Sequence, residues 1–129
     1  MRFLFIRFCI LFTLWGYSSF ASASIQKIQF QKGKSEVTIK DKVQGYEFKE
    51  YSIQAKAGQK MTLQVQSSNF DLHLVMFSVN GKPTDNVEDD EWSEVLQETG
   101  EYRVRVMMNR NGARKKGSHA AYTLHVRIE

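Results

Sequence analysis

The amino-acid sequence predicts an all-β protein, a single-domain antiparallel β-sandwich of about eight strands without disulfides. Apolar and polar residues alternate along several short stretches, which is the period-two pattern of strands with one buried face. Turn signals rich in glycine and asparagine separate these stretches, and no run of ten or more residues shows helical periodicity. Short strands at regular spacing are typical of a β-sandwich or barrel.

The alternation is clearest in MTLQVQ, YRVRVMM and YTLHVRI. Their predicted inward residues are Met61, Leu63 and Val65, then Tyr102, Val104, Val106 and Met108, then Tyr122, Leu124, Val126 and Ile128. In chain order, strands are predicted at residues 25–30, 36–43, 46–55, 61–66, 72–79, 93–97, 102–108 and 122–128. No repeat, linker or low-complexity tract interrupts them, so one domain is expected over residues 24–129.

One predicted strand changes parity. Tyr46 and Phe48 share one face, whereas Tyr51, Ile53 and Ala55 fall on the other. This shift predicts a bulge or bend around residues 49–50, a feature that often lies near functional sites. The alternative is an ordinary corner with both tyrosines in the core, which is the favoured interpretation for Tyr51.

Residues 1–23 predict a secretory signal peptide. Arg2 and Arg7 accompany an apolar run over residues 8–17, and small residues end in the A-x-A pattern at 21–23. The apolar run is well short of the roughly 20 residues that cross a bilayer, so cleavage after Ala23 is expected rather than an uncleaved anchor. Cys9 is the only cysteine, so the exported chain has no disulfide to form.

The charges are segregated along the chain. Residues 85–101 contain eight acids and no Lys or Arg, whereas residues 103–117 contain six bases and no acid. Such a patchwork is typical of a charge-complementary binding protein, although two adjacent solvated stretches would look the same. Loss of the leader lowers the formal charge from +4 to +2, which together with export disfavours a nucleic-acid partner.

Residue patterns that support catalysis or metal binding are scarce. There is no nucleophile motif or phosphate-binding loop, and His73, His119 and His125 stand singly without zinc-ligand spacing. The acidic run DNVEDDEW lacks the glycine of a calcium-binding loop, and Asp89 with Glu91 lies in too polar a run to indicate a glycosidase pair. Neither an enzyme nor a metal site is therefore expected.

A carbohydrate- or cell-wall-binding module without inhibitory activity is the alternative function. Such a module needs exposed aromatic rings, and the candidates are Trp92, Tyr46 and Phe70. Trp92 lies among acids in EDDEWSE, where its ring would either cap the core or stack on a sugar. The sequence leaves both possibilities open.

The segments QGYEFKEYSIQAKAGQKMTLQVQ and TGEYRVRVMMNRNGARKKGSHAAYTLHVRIE resemble the periplasmic inhibitors of goose-type (g-type) lysozyme. The matching residues are Gly45, Tyr46, Phe48, Tyr51, Ala57, Gly58, Gln59, Lys60, Gly100, Tyr102, Arg110, Asn111, Ala113, Arg114, Lys115 and Tyr122. Thr99, Glu101 and Gly112 depart from the family pattern, and residues 72–96 match poorly. Gly112 replaces an Asp between the two arginines and is expected to loosen the loop.

The resemblance implies a periplasmic β-sandwich that inhibits g-type lysozyme by inserting loops into its substrate cleft, with no catalysis and no cofactor. The implied lysozyme-binding residues are Arg110, Arg114, Tyr46, Asn111 and Lys115. The arginines would enter the cleft, Tyr46 would act as an aromatic anchor, and Lys115 would be a rim charge. With their flanking residues, the two predicted strands on either side of this loop span 100–108 and 120–128, which leaves a connection of about eleven residues. Hairpin loops usually have two to five residues, and a longer loop often carries function.

Overall fold

The protein folds into two four-stranded β-sheets in the computed structural model, which describes residues 25–84 and 90–129. The predicted signal peptide and residues 85–89 of the acidic stretch lie outside these described residues. The elements are β1 Ile25–Lys27, β2 Glu36–Gln44, β3 Phe48–Ala55, β4 Lys60–Ser67, β5 Leu72–Phe77, β6 Glu91–Val95, β7 Gly100–Met108, α1 Arg110–Ala113 and β8 His119–Ile128. The eight strands of the described chain confirm the prediction of an all-β protein.

The two sheets have the strand orders β1-β3-β7-β5 (sheet I) and β2-β8-β4-β6 (sheet II). Every neighbouring pair is antiparallel except β1 with β3, which is parallel. The predicted sandwich is confirmed, with this one parallel edge as an addition. No helix among the described residues has the length and apolar character needed to cross a membrane.

The core lies between the sheets and is formed by the predicted inward side chains. All eleven inward residues of β4, β7 and β8 are buried, and Tyr51 joins them from β3. The hydroxyl groups of Tyr51 and Tyr122 lie 2.5 Å apart and link sheet I to sheet II. Burial raises the pKa of both tyrosines above their ordinary value, because the charged phenolate is disfavoured away from water.

The predicted bulge in β3 is wrong. The pairing of β3 with β7 runs without interruption from Phe48 opposite Met107 to Ala55 opposite Gly100. Phe48 faces outward, where the guanidinium of Arg105 lies 4.3 Å from its ring centroid. The parity shift therefore reflects an outward-facing aromatic that is half-buried by Arg105, because both faces of β3 carry packed side chains.

Three connections meet at one end of the sandwich, hereafter the loop end. They are the β2–β3 turn (residues 45–47), the β4–β5 connection (68–71) and the β7–β8 connection (109–118). The strand register places them together, since Gln44 pairs with His119 and Leu72 pairs with Met108. The loop end therefore gathers the basic stretch and the Gly-Tyr turn, which lie far apart in sequence.

Candidate functional site

The basic stretch NRNGARKKG contains a short helical turn. Asn109 is the N-cap of α1, and its side-chain oxygen accepts a hydrogen bond from the Gly112 amide at 2.8 Å. The Ala113 amide donates to the Asn109 carbonyl at 2.9 Å, and the Arg114 amide donates to the Arg110 carbonyl at 3.1 Å. An Asn at the N-cap stabilises a helix start, so this part of the connection has a defined backbone conformation.

Arg110 and Arg114 lie on the same side of this turn. They stand four residues apart across α1 and its C-cap, and residues at that spacing are neighbours on a helix surface. Both are exposed, and within the described ranges neither forms a salt bridge. Their guanidinium groups are therefore available to a partner.

Asp71, in the β4–β5 connection, is hydrogen-bonded to the N-cap of the helical turn. Its carbonyl accepts the Asn109 amide at 2.8 Å, and its carboxylate accepts the Asn109 side-chain amide at 3.3 Å. The same carboxylate lies 3.7 Å from the Lys115 ammonium. Lys115 remains 71% exposed, so this ion pair adds little stability.

Gly112 packs against Asp71, which corrects the expectation that this glycine loosens the loop. Gly112 is buried. A Cβ built on it would overlap the Asp71 Cβ and would lie 2.7 Å from the Asp71 Cγ and Oδ2. The glycine is therefore explained by close approach between two chain segments rather than by flexibility.

Tyr46 lies on the neighbouring β2–β3 turn and is 68% exposed. The turn bonds to the basic connection, because the Gly45 amide donates to the Ser118 carbonyl at 3.0 Å. Gly45 has φ +53°, a left-handed conformation that glycine adopts without penalty. Tyr46 therefore projects beside the segment that carries the arginines.

The structure brings all five predicted binding residues to the loop end. Asn111 is exposed on α1 between the two arginines, and Lys115 follows the turn. The role of these five residues in binding stays a prediction.

Sequence reasoning did not assign Phe70, Asn69 and Asp71 to this site. Phe70, at the loop end, is 99% exposed, whereas Asn69 and Asp71 support the connections around it. The signal in the sequence was an aromatic residue between two turn-forming residues, in Asn-Phe-Asp. Residues 69–71 lie next to residues 72–96, which match the family pattern poorly, so the resemblance assigns them no role.

Trp92 does not form part of any binding platform. Its side chain faces the core from β6 and is 4% exposed, so it caps the core and cannot stack on a sugar. The carbohydrate-binding alternative therefore loses one of its three candidate rings, whereas Tyr46 and Phe70 are exposed.

Charge is distributed unevenly over the described surface. The exposed bases Arg110, Arg114 and Lys116 lie at the loop end. The exposed acids Glu94 and Glu98 lie towards the opposite end, because Glu94 pairs with Met61 at the start of β4. The loop end is not uniformly basic, because the β2–β3 turn adds the exposed acid Glu47 there.

The titratable side chains of the described residues do not converge as a metal site would require. In residues 25–84 and 90–129, no three His, Cys, Asp or Glu side chains are grouped closely enough to hold a metal ion. His125 instead contacts the Thr38 hydroxyl at 3.1 Å on the outer face of sheet II.

Comparison with known proteins gives concordant results from sequence and structure. The "Inhibitor of g-type lysozyme" of Escherichia coli (strain K12) is 27% identical over 128 residues, covering 93% of this chain and 92% of that protein. Aeromonas hydrophila PliG, a periplasmic inhibitor of g-type lysozyme, superimposes with a TM-score of 0.74 at 27% identity, covering 82% of this chain and 96% of PliG. The predicted resemblance to the g-type lysozyme inhibitors is confirmed.

Two further g-type lysozyme inhibitors have the same architecture. A mutant of Escherichia coli PliG matches with a TM-score of 0.64 at 28% identity, covering 84% of this chain and all of that chain. Salmonella Typhimurium PliG shares the fold with a TM-score of 0.64 at 24% identity, covering 84% of this chain and all of that chain. Both are described as periplasmic, in agreement with the predicted export of this chain. No family model matches the sequence.

Proposed function

We propose that this protein is a periplasmic inhibitor of g-type lysozyme that binds the enzyme with its loop end and blocks the substrate cleft. The observation that carries the proposal is the pair of exposed arginines on one side of a fixed helical turn, in a chain similar to g-type lysozyme inhibitors. Inhibition by occlusion requires complementary shape and charge, and it requires no cofactor.

The arginines suit a muramidase cleft chemically. Such a cleft is concave and contains a catalytic carboxylate, to which a guanidinium donates two parallel hydrogen bonds that a lysine cannot reproduce. Four residues of helix rise about 6 Å, so Arg110 and Arg114 reach neighbouring points of one cleft. Because α1 is already folded, its backbone loses little conformational freedom when the arginines bind.

Tyr46 and Asn111 extend the contact around the arginines. The exposed Tyr46 ring offers a large apolar surface with a hydroxyl at its edge, a combination enriched in energetically important interface positions. Asn111 offers amide hydrogen-bonding groups beside Arg110. Lys115 is a rim charge that accelerates encounter more than it strengthens the final complex.

Export places the inhibitor where it protects the cell wall. A g-type lysozyme that crosses the outer membrane meets peptidoglycan in the periplasm, the compartment in which the similar inhibitors are described. A fold without disulfides suits this role because its stability does not depend on the redox state of the compartment.

An inhibition panel tests the proposed function. The chain is produced with its own leader, purified after export and mixed with goose-type, chicken-type and invertebrate-type lysozymes acting on bacterial cell walls. We expect lysis to stop for the goose-type enzyme alone. Binding to purified peptidoglycan without any protection from lysis would instead favour the carbohydrate-binding alternative, which retains Tyr46 as an exposed ring.

Single substitutions test the site. Arg110→Ala and Arg114→Ala are each expected to weaken inhibition by roughly 2 kcal/mol or more, the usual loss when a guanidinium buried against a carboxylate is removed. Arg114→Lys keeps the charge and is expected to recover only part of the loss. Lys116→Ala is the matched control, since it removes a positive charge from the same connection. Full potency in the Arg110→Ala/Arg114→Ala double variant would place the site elsewhere.

A further inference from the structure

Phe70 is exposed to an extent unusual for a large apolar side chain. At 99% it is far more exposed than Tyr46 at 68% or Val95 at 50%. Its ring adds nothing to the hydrophobic stabilisation of the fold, because it is as exposed to water in the folded chain as in the unfolded chain. A single exposed apolar residue is common on protein surfaces, so its supporting contacts decide whether it is functional.

The residues on both sides of Phe70 are held in place by hydrogen bonds. The Asn69 side chain donates to the His119 carbonyl at 3.0 Å and accepts the Asp71 amide at 2.9 Å. The Leu72 amide donates to the Asn69 carbonyl at 3.2 Å. The backbone that carries Phe70 is therefore fixed to the start of β8, while the ring points entirely into solvent.

The same turn is joined to the basic connection. Asp71 bonds to Asn109 and packs against Gly112, as described above, and Phe70 and Asn109 line one continuous surface depression. Phe70 and the arginines are thus presented by segments that contact each other directly. A partner that covers Phe70 therefore also lies close to the connection that carries the arginines.

We propose that Phe70 is a hydrophobic anchor that packs on the g-type lysozyme surface beside the cleft entered by Arg110 and Arg114; this rests on the proposed function. Phenylalanine is enriched at the buried centres of protein interfaces. An apolar ring on a fixed turn loses little entropy when it is buried by a partner. The basic connection supplies charge-assisted contacts and Phe70 supplies apolar burial, so the loop end offers both kinds of contact.

The two kinds of contact differ in their response to salt. Burial of an apolar ring is not screened by salt, whereas attraction between the arginines and acidic groups is. Phe70 is therefore expected to act mainly on the dissociation rate, which usually carries most of the affinity differences among variants of one interface.

The experiment compares Phe70→Ala, Phe70→Leu and the control Val95→Ala in the exported full chain, against a goose-type lysozyme. Val95 is exposed and pairs with Lys60 at the opposite end. Phe70→Ala is expected to raise the inhibitor concentration for half-inhibition roughly 10- to 100-fold, at low and high salt alike, through faster dissociation. Phe70→Leu, which keeps most of the apolar area, is expected to recover most of the loss. Val95→Ala is expected to leave inhibition unchanged, and the two Phe70 variants are expected to keep the melting temperature of the unaltered chain.

The outcomes separate this inference from the proposed function. If the unaltered chain inhibits but Phe70→Ala inhibits equally well, the anchor is refuted while the inhibitor function stands. The same holds if Phe70→Ala loses only peptidoglycan binding, or only association between two copies of the chain. If the unaltered chain fails to inhibit any goose-type lysozyme, the proposed function fails and the anchor fails with it.

Discussion

Gly112→Ala isolates the contact between the helical turn and Asp71. Alanine favours helix over glycine by about 0.5–1 kcal/mol, so on intrinsic propensity alone the substitution would stabilise α1. The structure predicts the opposite sign, because the added methyl group would overlap the Asp71 Cβ and lie 2.7 Å from its Cγ and Oδ2. The sign of the effect therefore decides between a close contact and a merely flexible glycine.

The expected magnitude follows from the geometry. Asp71 cannot rotate away from the overlap, because the Cβ position is set by the backbone, and that backbone bonds to Asn109 at 2.8 Å and to Asn69 at 2.9 Å. Forcing one extra carbon into such a contact usually costs about 1–3 kcal/mol. After subtraction of the gain in helix propensity, we expect a net loss of up to about 2.5 kcal/mol, with a melting temperature lower by about 4 °C for each kcal/mol lost.

Thermal unfolding, followed by circular dichroism, measures the loss of stability in Gly112→Ala. Two second-site variants test whether the loss arises from contact with the Asp71 Cβ. Asp71→Gly removes the Cβ that the new methyl group meets, so Gly112→Ala should cost less in that background. Asp71→Ala loses the same carboxylate but keeps the Cβ, so the cost should persist there. A melting temperature that rises in Gly112→Ala, or equal costs in the two backgrounds, would refute the close approach.

Four further outcomes are expected. Burial raises the pKa of Tyr51 and Tyr122 above the ordinary 10.0, so their contribution to stability is intact below roughly pH 10. As the pH rises further, only the unfolded chain loses the tyrosine protons, so the free energy of unfolding falls by up to about 1.4 kcal/mol per pH unit for each tyrosine. Tyr122→Phe should reduce this slope, measured by urea titrations at several pH values. Asn109→Ala removes the N-cap and should cost about 1 kcal/mol in stability while weakening inhibition. Glu50→Gln, which removes a buried carboxylate 3.5 Å from Arg105, should cost about 1 kcal/mol in denaturant unfolding and leave inhibition unchanged, since it lies outside the loop end. Lys116→Ala should slow association only a few-fold in stopped-flow measurements, and the difference should disappear at high salt.

The sequence was sufficient to predict the strands, because their signal is local. Alternation over five or more residues is readable without tertiary information, and the inward residues of β4, β7 and β8 were all assigned correctly. The parity of Phe48 suggests a bulge that is absent, because β3 packs on both faces, with Arg105 stacked on the outward Phe48 ring. Periodicity can report only one buried face, so a doubly packed strand looks like an interrupted one.

The helical turn escaped prediction for a different reason. Four residues, Arg110–Ala113, span little more than one turn, too short to show a periodic pattern. An isolated helix of that length is unstable in water. It forms here because Asn109 caps it and because Asp71, which is 38 residues away in sequence, bonds to that cap. Such a contact leaves no local signal in either segment.

The helical turn also changes how the two arginines act. In an extended loop, the backbone positions of residues four apart would be separated by about 13 Å along the chain. In α1 the same spacing corresponds to about 6 Å of rise on one side of a turn. The pairing of Arg110 and Arg114 is therefore a property of the fold rather than of the loop sequence. Under the proposed function, Asp71 would therefore set the geometry of both arginine contacts through Asn109 and Gly112, without itself touching the lysozyme. Substitution of Asp71 should accordingly weaken both arginine contacts together. The loss of inhibition caused by Arg110→Ala or by Arg114→Ala should then be smaller in an Asp71→Ala background than in the unaltered chain.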